Sequence, residues 1–179
     1  TDEGRKPYRQ IVIDRILQYA CTKVVAVSDA VRNSLVRQGI KPGRIAVVPN
    51  GVDLAPYRSL VRAPYDGPMR FVFVGRLIAD KGVHVLLTAF AQLNMPARLM
   101  IVGEGPEWER LRTQAAALDI GDRVSFIGAT TDVPHVLAVS DCLILPSRRE
   151  GSPLVCVEAF ASGIPVIASD IPGIRSVVI

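Results

Sequence analysis

The sequence predicts an α/β protein built on a doubly wound parallel sheet. From Arg70 onward, short unbroken apolar runs recur at residues 71–74, 99–102, 124–127, 142–145 and 165–168. None alternates polar with apolar residues as a strand with one wet face does, and a strand covered on both faces needs an unbroken run. Each run ends in Gly, Pro or Ser, where a chain leaves a sheet edge. Between the runs lie segments with apolar residues at helical spacing. Strand and helix therefore alternate, and right-handed crossovers join parallel strands.

In chain order, residues 8–20 are expected to form a helix, with Ile11, Ile16, Leu17 and Tyr19 supplying apolar area. Residues 23–27 (Lys-Val-Val-Ala-Val) predict a strand. Ser28 is placed to cap a helix through Val36, and residues 45–48 predict a second strand. Pro49-Asn50-Gly51-Val52-Asp53 is a turn signature. Residues 54–68 contain Pro and Arg without periodicity, as a linker does. After the first sheet run, Val83, Leu86, Leu87, Phe90 and Leu93 form one helical stripe, and Trp108, Leu111, Ala115 and Leu118 form a second that carries Arg112. Residues 132–139 and 153–162 predict two further helices. The chain divides into residues 1–49, the tail of one unit; 50–68, a connection; and 69–179, a second unit. Both ends are expected to be incomplete: two strands precede the connection with no sheet of their own, and the sequence stops at Val177-Val178-Ile179 in the expected start of another element.

Composition narrows the function. At 179 residues, 49% hydrophobic and 21% charged, the chain is globular and excludes a disordered or low-complexity protein. The net charge of +4 suits an anionic ligand or a loose membrane-surface contact. The basic residues form no run, so nucleic acid is not the expected partner. Three cysteines with no Cys-x-x-Cys and no zinc spacing predict a reducing, cytoplasmic compartment. Residues 1–9 are charged and predict no signal peptide. The apolar stretch 151–169 is interrupted by Glu158, Gly163 and Pro165, which predicts helix, turn and strand rather than a membrane span. No Asp-x-Asp, His-Glu-x-x-His or P-loop occurs, so no metal site is expected, and His84 is expected to pack or to lie at the surface.

A ligand of an open α/β sheet sits beyond the carboxyl ends of its strands. After the first run comes Gly75-Arg76-Leu77-Ile78-Ala79-Asp80-Lys81-Gly82, in which Gly75 permits a sharp turn. Arg76 and Lys81 are two cations at one strand exit, suited to a pyrophosphate; the alternative is a solvated loop. Gly103-Glu104-Gly105-Pro106 resembles the opening of a dinucleotide fingerprint. Trp108 occupies its third glycine position and Pro106 intrudes, so the glycines are expected to allow close approach of chain to chain or to a ligand. In the segment 150–159, Ser152 is expected to cap a helix with Pro153 as its first residue. The N–H groups of Leu154 and Val155 would then stand unpaired at the strand-end edge, a ready anion site. Glu158 is a lone carboxylate on an otherwise apolar helix and needs a partner, either Arg148 or Arg149 or the hydroxyls of a ribose. Glu150 is either functional or an exposed loop carboxylate.

Together these motifs resemble the retaining GT-B glycosyltransferases of family 4. The matching text is Val27-Ser28 before a helix, Val48-Pro49-Asn50-Gly51-Val52-Asp53, Val74-Gly75-Arg76-Leu77 with Lys81-Gly82, Val102-Gly103-Glu104-Gly105-Pro106, Gly163 to Ala168, and Glu150 with Glu158 separated by seven residues. The resemblance implies two facing Rossmann-like domains, of which this chain holds most of the C-terminal, donor-binding one. It implies that Arg76 and Lys81 hold the diphosphate of a nucleoside-diphosphate sugar and stabilise the leaving group. Glu158 would bind the ribose and Glu150 would face the sugar. The backbone of Gly151, Ser152, Pro153, Leu154 and Val155 would cradle sugar and phosphate, with Gly75 and Gly103 also counted as donor-binding. It implies no metal and no cofactor besides the donor substrate. It also implies a glycan or lipid-linked acceptor bound through the N-terminal domain, in the cytoplasm or at the inner face of the cytoplasmic membrane, as in polysaccharide biosynthesis. Ser152 departs from the aromatic or aliphatic residue frequent at that place. Two other readings stand beside it: a non-catalytic nucleotide-sugar-binding module, and an epimerase or hydrolase acting on the donor alone.

Overall fold

The computed structural model describes residues 12, 16, 19–58 and 65–178. Val12, Ile16, Tyr19 and Ala20 are helical; the rest of the helix expected over 8–20 lies outside the described residues. Next come strand β1 (Val24–Ala26), helix α1 (Asp29–Arg37) and strand β2 (Ile45–Val47). β1 and β2 pair in parallel over a small core of Ala26, Ile40 and Ile45. Ser28 caps α1 as its sequence position predicts: its hydroxyl oxygen accepts from the Val31 N–H at 3.3 Å.

The expected linker is not featureless. It contains a short helix, α2 (Ala55–Arg58), whose Tyr57 is only 9% exposed and joins the main core. A single docked aromatic leaves no periodicity to find. Residues 59–64 lie outside the described residues.

The main sheet follows: β3 (Met69–Val74), α3 (Val83–Ala91), β4 (Ala97–Val102), α4 (Trp108–Ala117), β5 (Val124–Gly128), α5 (Val133–Ala138), β6 (Cys142–Leu145), α6 (Leu154–Ala161), β7 (Val166–Ala168) and α7 (Pro172–Arg175). Its strands are all parallel, in the order β5-β4-β3-β6-β7. The doubly wound α/β architecture expected from the apolar runs is therefore present. Phe73, Leu87, Leu99, Ile101, Leu143 and Leu145 are fully buried at its centre.

Two of the runs are not covered on both faces. In β5, Ser125 and Ile127 are exposed while Val124 is buried, and in β7 Ile167 is exposed. Both are edge strands of the described sheet, where an apolar run can persist with only one side covered. The start of α6 also differs from expectation. The helix begins at Leu154, Pro153 occupies the capping position in an extended conformation, and no side chain caps it. Ser152 stands one residue too early to cap, because the proline between it and the helix takes that place.

The direction in which strands are added reverses at β3: β4 and β5 extend the sheet on one side, β6 and β7 on the other. The two strands flanking that reversal are clamped at their starts. Asp141 accepts from the Arg70 backbone N–H (2.9 Å) and Nε (3.0 Å) through one oxygen and from Nη2 (2.8 Å) through the other. The guanidinium also lies 3.9 Å over the Tyr65 ring. This fork fixes the β3–β6 register at the edge opposite the loops described next. Among the described residues, no helix is long and apolar enough to cross a membrane.

Candidate functional site

In an open parallel sheet the crevice at the point of strand reversal is where ligands bind. Here it lies between the loops leaving β3 and β6. The β3 loop is held down by Leu77, which is fully buried and whose N–H donates to the Glu104 carbonyl at 2.8 Å. A short 3-10 turn (Ala79–Lys81) follows, and then Gly82 at φ +69°. A Cβ on Gly82 would lie 2.2 Å from the Pro146 carbonyl oxygen, so the two loops touch backbone to backbone. The Arg148 N–H donates to the Asp80 carbonyl at 2.7 Å and fastens them.

That contact brings Lys81 Nζ to 2.6 Å from Glu150 Oε1, with the side chains 19% and 10% exposed. Two residues that the sequence offered separately thus form one largely buried ion pair. Arg76 is exposed on the same loop and makes no ion pair with a described residue. Gly103 backs Gly75 one loop further in, with its N–H donating to Gly128 at 2.7 Å. Beyond Glu150 the chain passes through Gly151, Ser152 and Pro153 into α6. The first-turn N–H groups of Leu154 and Val155 have no acceptor among the described residues. Cations and bare amides therefore meet at one sheet edge, an arrangement fit to hold a diphosphate.

Cys156, on the inner face of α6, is fully buried. Burial pushes its thiol up to about 11, the Glu150 charge adds to this, and Lys81 opposes it. It is a packed neutral thiol rather than a nucleophile.

The partner the structure gives Glu158 is neither of the two arginines considered from sequence. It is the Tyr57 phenol, whose ionisation the nearby Glu158 charge opposes. Burial first, then the Glu158 charge, raise the Tyr57 phenol from 10.0 to about 12. The folded state favours the protonated phenol, so this contribution to stability is complete below pH 10.0 and is lost as pH rises through about 12. A near-ultraviolet spectrophotometric titration should show one late-ionising tyrosine that disappears in Tyr57→Phe. An unchanged curve would rule the contact out.

The N-terminal residues also reach the site, which the sequence did not reveal. Ser28 Oγ donates to the Gly151 carbonyl at 2.5 Å, and Asn50 Nδ2 donates to the Ser152 carbonyl at 3.2 Å. Each had a recognised local role, as helix cap or turn residue, and nothing local indicates a partner so far along the chain. Between α1 and the loop 148–150 lies a cleft of about 390 Å³, lined by Val31, Ser34, Gln38, Arg148, Arg149 and Glu150 among others. Among the described residues, no three His, Cys, Asp or Glu side chains cluster as a metal site requires.

Residues 61–179 match the family model for Glycosyl transferases group 1, and residues 2–56 match that for Glycosyltransferase Family 4. An uncharacterized glycosyltransferase of Haemophilus influenzae is 35% identical over 162 residues, which is 88% of this chain and 45% of that protein. The glycogen synthase of Mycobacterium tuberculosis is 35% identical over 140 residues, 75% of this chain and 34% of that protein. The Anabaena protein HepE, solved in complex with UDP-glucose, superposes with a TM-score of 0.84 at 25% identity, over 93% of this chain and 50% of that one. The chain spans less than half the length of these two curated relatives.

Proposed function

The chain belongs to the group 1 glycosyl transferases, and on that premise we propose that it is the donor-binding part of a retaining glycosyltransferase. The enzyme moves a sugar from a nucleoside diphosphate to a glycan or lipid-linked acceptor. The observation that carries this reading is the meeting of Lys81, Glu150 and the uncapped start of α6 at the strand reversal. On this reading residues 1–49 are the tail of the acceptor domain, 50–68 the interdomain linker and 69–179 the donor domain. The protein works in the cytoplasm or at the inner face of the cytoplasmic membrane.

As the bond from the sugar's anomeric carbon to the diphosphate oxygen breaks, negative charge grows on the leaving group. Arg76, Lys81 and the Leu154 and Val155 amides stabilise that charge, and groups fixed beforehand do so without reorganising. Glu150, adjacent to Lys81, faces the sugar. Glu158 accepts from the ribose hydroxyls. No metal is needed on this reading, because fixed cations do the work a divalent ion would otherwise do, and chelator is expected to leave affinity unchanged.

HepE was solved with UDP-glucose, which makes UDP and UDP-glucose the first probes, with the GDP and ADP counterparts beside them. Calorimetric titration of the 179-residue chain is expected to show binding of one of these series. Arg76→Ala should lose at least about tenfold in affinity, the worth of one charge-assisted contact. Failure of the wild-type chain to bind any of them rejects the donor reading. Unchanged affinity in Arg76→Ala removes that residue from the site.

A further inference from the structure

The loop between Glu150 and α6 lies outside any helix or strand, yet two of its successive carbonyls are held from far away. Ser28 Oγ gives its proton to Gly151 O at 2.5 Å, and Asn50 Nδ2 donates to Ser152 O at 3.2 Å. Ser28 belongs to the β1–β2 unit and Asn50 opens the connection that follows it; neither belongs to the sheet that bears the loop. Ser28 is 4% exposed, so its hydroxyl has no water to turn to. It accepts from the Val31 N–H and donates to Gly151, and one atom thereby ties the start of α1 to the loop. The approach is close as well: a Cβ on Gly151 would sit 3.2 Å from Val31 Cγ2.

We propose that Ser28 and Asn50 are positioning residues of the donor cradle, acting through the peptide planes of Gly151 and Ser152. A trans peptide is planar, with its carbonyl and its N–H on opposite sides. Drawing the Gly151 carbonyl toward Ser28 therefore turns the Ser152 N–H the other way. Drawing the Ser152 carbonyl toward Asn50 sets the entry into Pro153, and with it the aim of the bare Leu154 and Val155 amides. The β1–β2 unit and the start of the connection thus orient groups that belong to the other sheet. Any shift of one unit against the other would pass directly into the cradle. This inference rests on the donor reading above.

The test compares Ser28→Ala, Ser28→Thr and Asn50→Ala in the 179-residue chain, with UDP-glucose and UMP as calorimetric probes. UMP lacks the β-phosphate and the sugar that the loop would hold, so it reports on folding and on the nucleoside and α-phosphate contacts. In Ser28→Ala and Asn50→Ala, UDP-glucose affinity is expected to fall about fivefold, the worth of one hydrogen bond, with UMP affinity unchanged. Ser28→Thr keeps both the acceptor and the donor and should bind as wild type. A merely structural role for Ser28, through the lost helix cap, would lower the active fraction and leave the ratio of the two affinities alone. Asn50 is exposed and caps nothing, so its variant folds in any case. If the wild-type chain binds and the variants keep its ratio, this inference fails and the donor reading stands. If the wild-type chain binds no nucleotide sugar, both fail.

Discussion

Gly103→Ala is expected to lower the melting temperature of the chain by about 10 °C, a loss of about 3 kcal/mol. A Cβ at this position would stand 1.9 Å from the Gly75 carbonyl oxygen, and the backbone there has φ +137°, which side-chain-bearing residues rarely adopt. The obstructing atom is main chain and has no rotamer to escape into. Nor can either loop retreat, since the Gly75 N–H donates to Val102 at 2.9 Å and the Gly103 N–H to Gly128 at 2.7 Å. Any displacement that relieves the clash moves Gly75, and Arg76 follows it, so nucleotide binding should fall together with stability. Gly43→Ala is the control: nothing lies within 4 Å of its Cβ position, and its melting should stay within about 0.5 kcal/mol of wild type. A Gly103→Ala chain that melts like wild type would show that the two strand-exit loops stand apart. Thermal unfolding followed by circular dichroism decides it.

Gly103 also illustrates what the sequence could and could not convey. Its segment resembles a nucleotide fingerprint, yet the spacing broke at Pro106 and Trp108, and close approach of chain to chain was one of the two readings left. The strands were readable because burial on both faces writes itself into consecutive residues, and the sequence runs fall within the five strands of the main sheet to within a residue or two. What periodicity cannot encode is which face a distant element covers. Ser125 and Ile127 are therefore exposed in a run that looked buried, and Tyr57 is buried in a segment that looked like a linker. The site divides in the same way. That Glu158 needed a partner followed from its apolar helix; that the partner is Tyr57 depended on where α2 docks. Lys81 and Glu150 each stood out alone, but their pairing is a product of sheet order, with β3 beside β6. Ser28 and Asn50 sit in motifs whose local reading is a helix cap and a turn, and neither reading names a partner more than a hundred residues away.

The Lys81–Glu150 pair leads to the other large effect. Lys81→Met leaves the Glu150 carboxylate 10% exposed and without its counter-ion, and breaking such a pair by removing one partner costs roughly 3 kcal/mol. It should also weaken nucleoside-diphosphate binding at least about tenfold, because an ammonium is lost from the phosphate site. These two losses have different physical origins and can be separated. Adding Glu150→Gln to Lys81→Met removes the stranded charge, so stability should recover most of the way while UDP binding does not. Glu150→Gln alone should do the reverse. It frees Lys81 from a carboxylate at 2.6 Å that competes with phosphate oxygens for the same ammonium, and UDP, which carries no sugar for Glu150 to face, should bind more tightly than to wild type. Thermal unfolding and UDP calorimetry on the three variants complete the cycle. If the double variant regains both stability and wild-type UDP affinity, Lys81 is only a structural counter-ion and the diphosphate lies elsewhere. If it regains stability alone, then the ion pair of the ligand-free chain occupies the place the donor must take, and donor binding proceeds by exchange of one anion for another at Lys81.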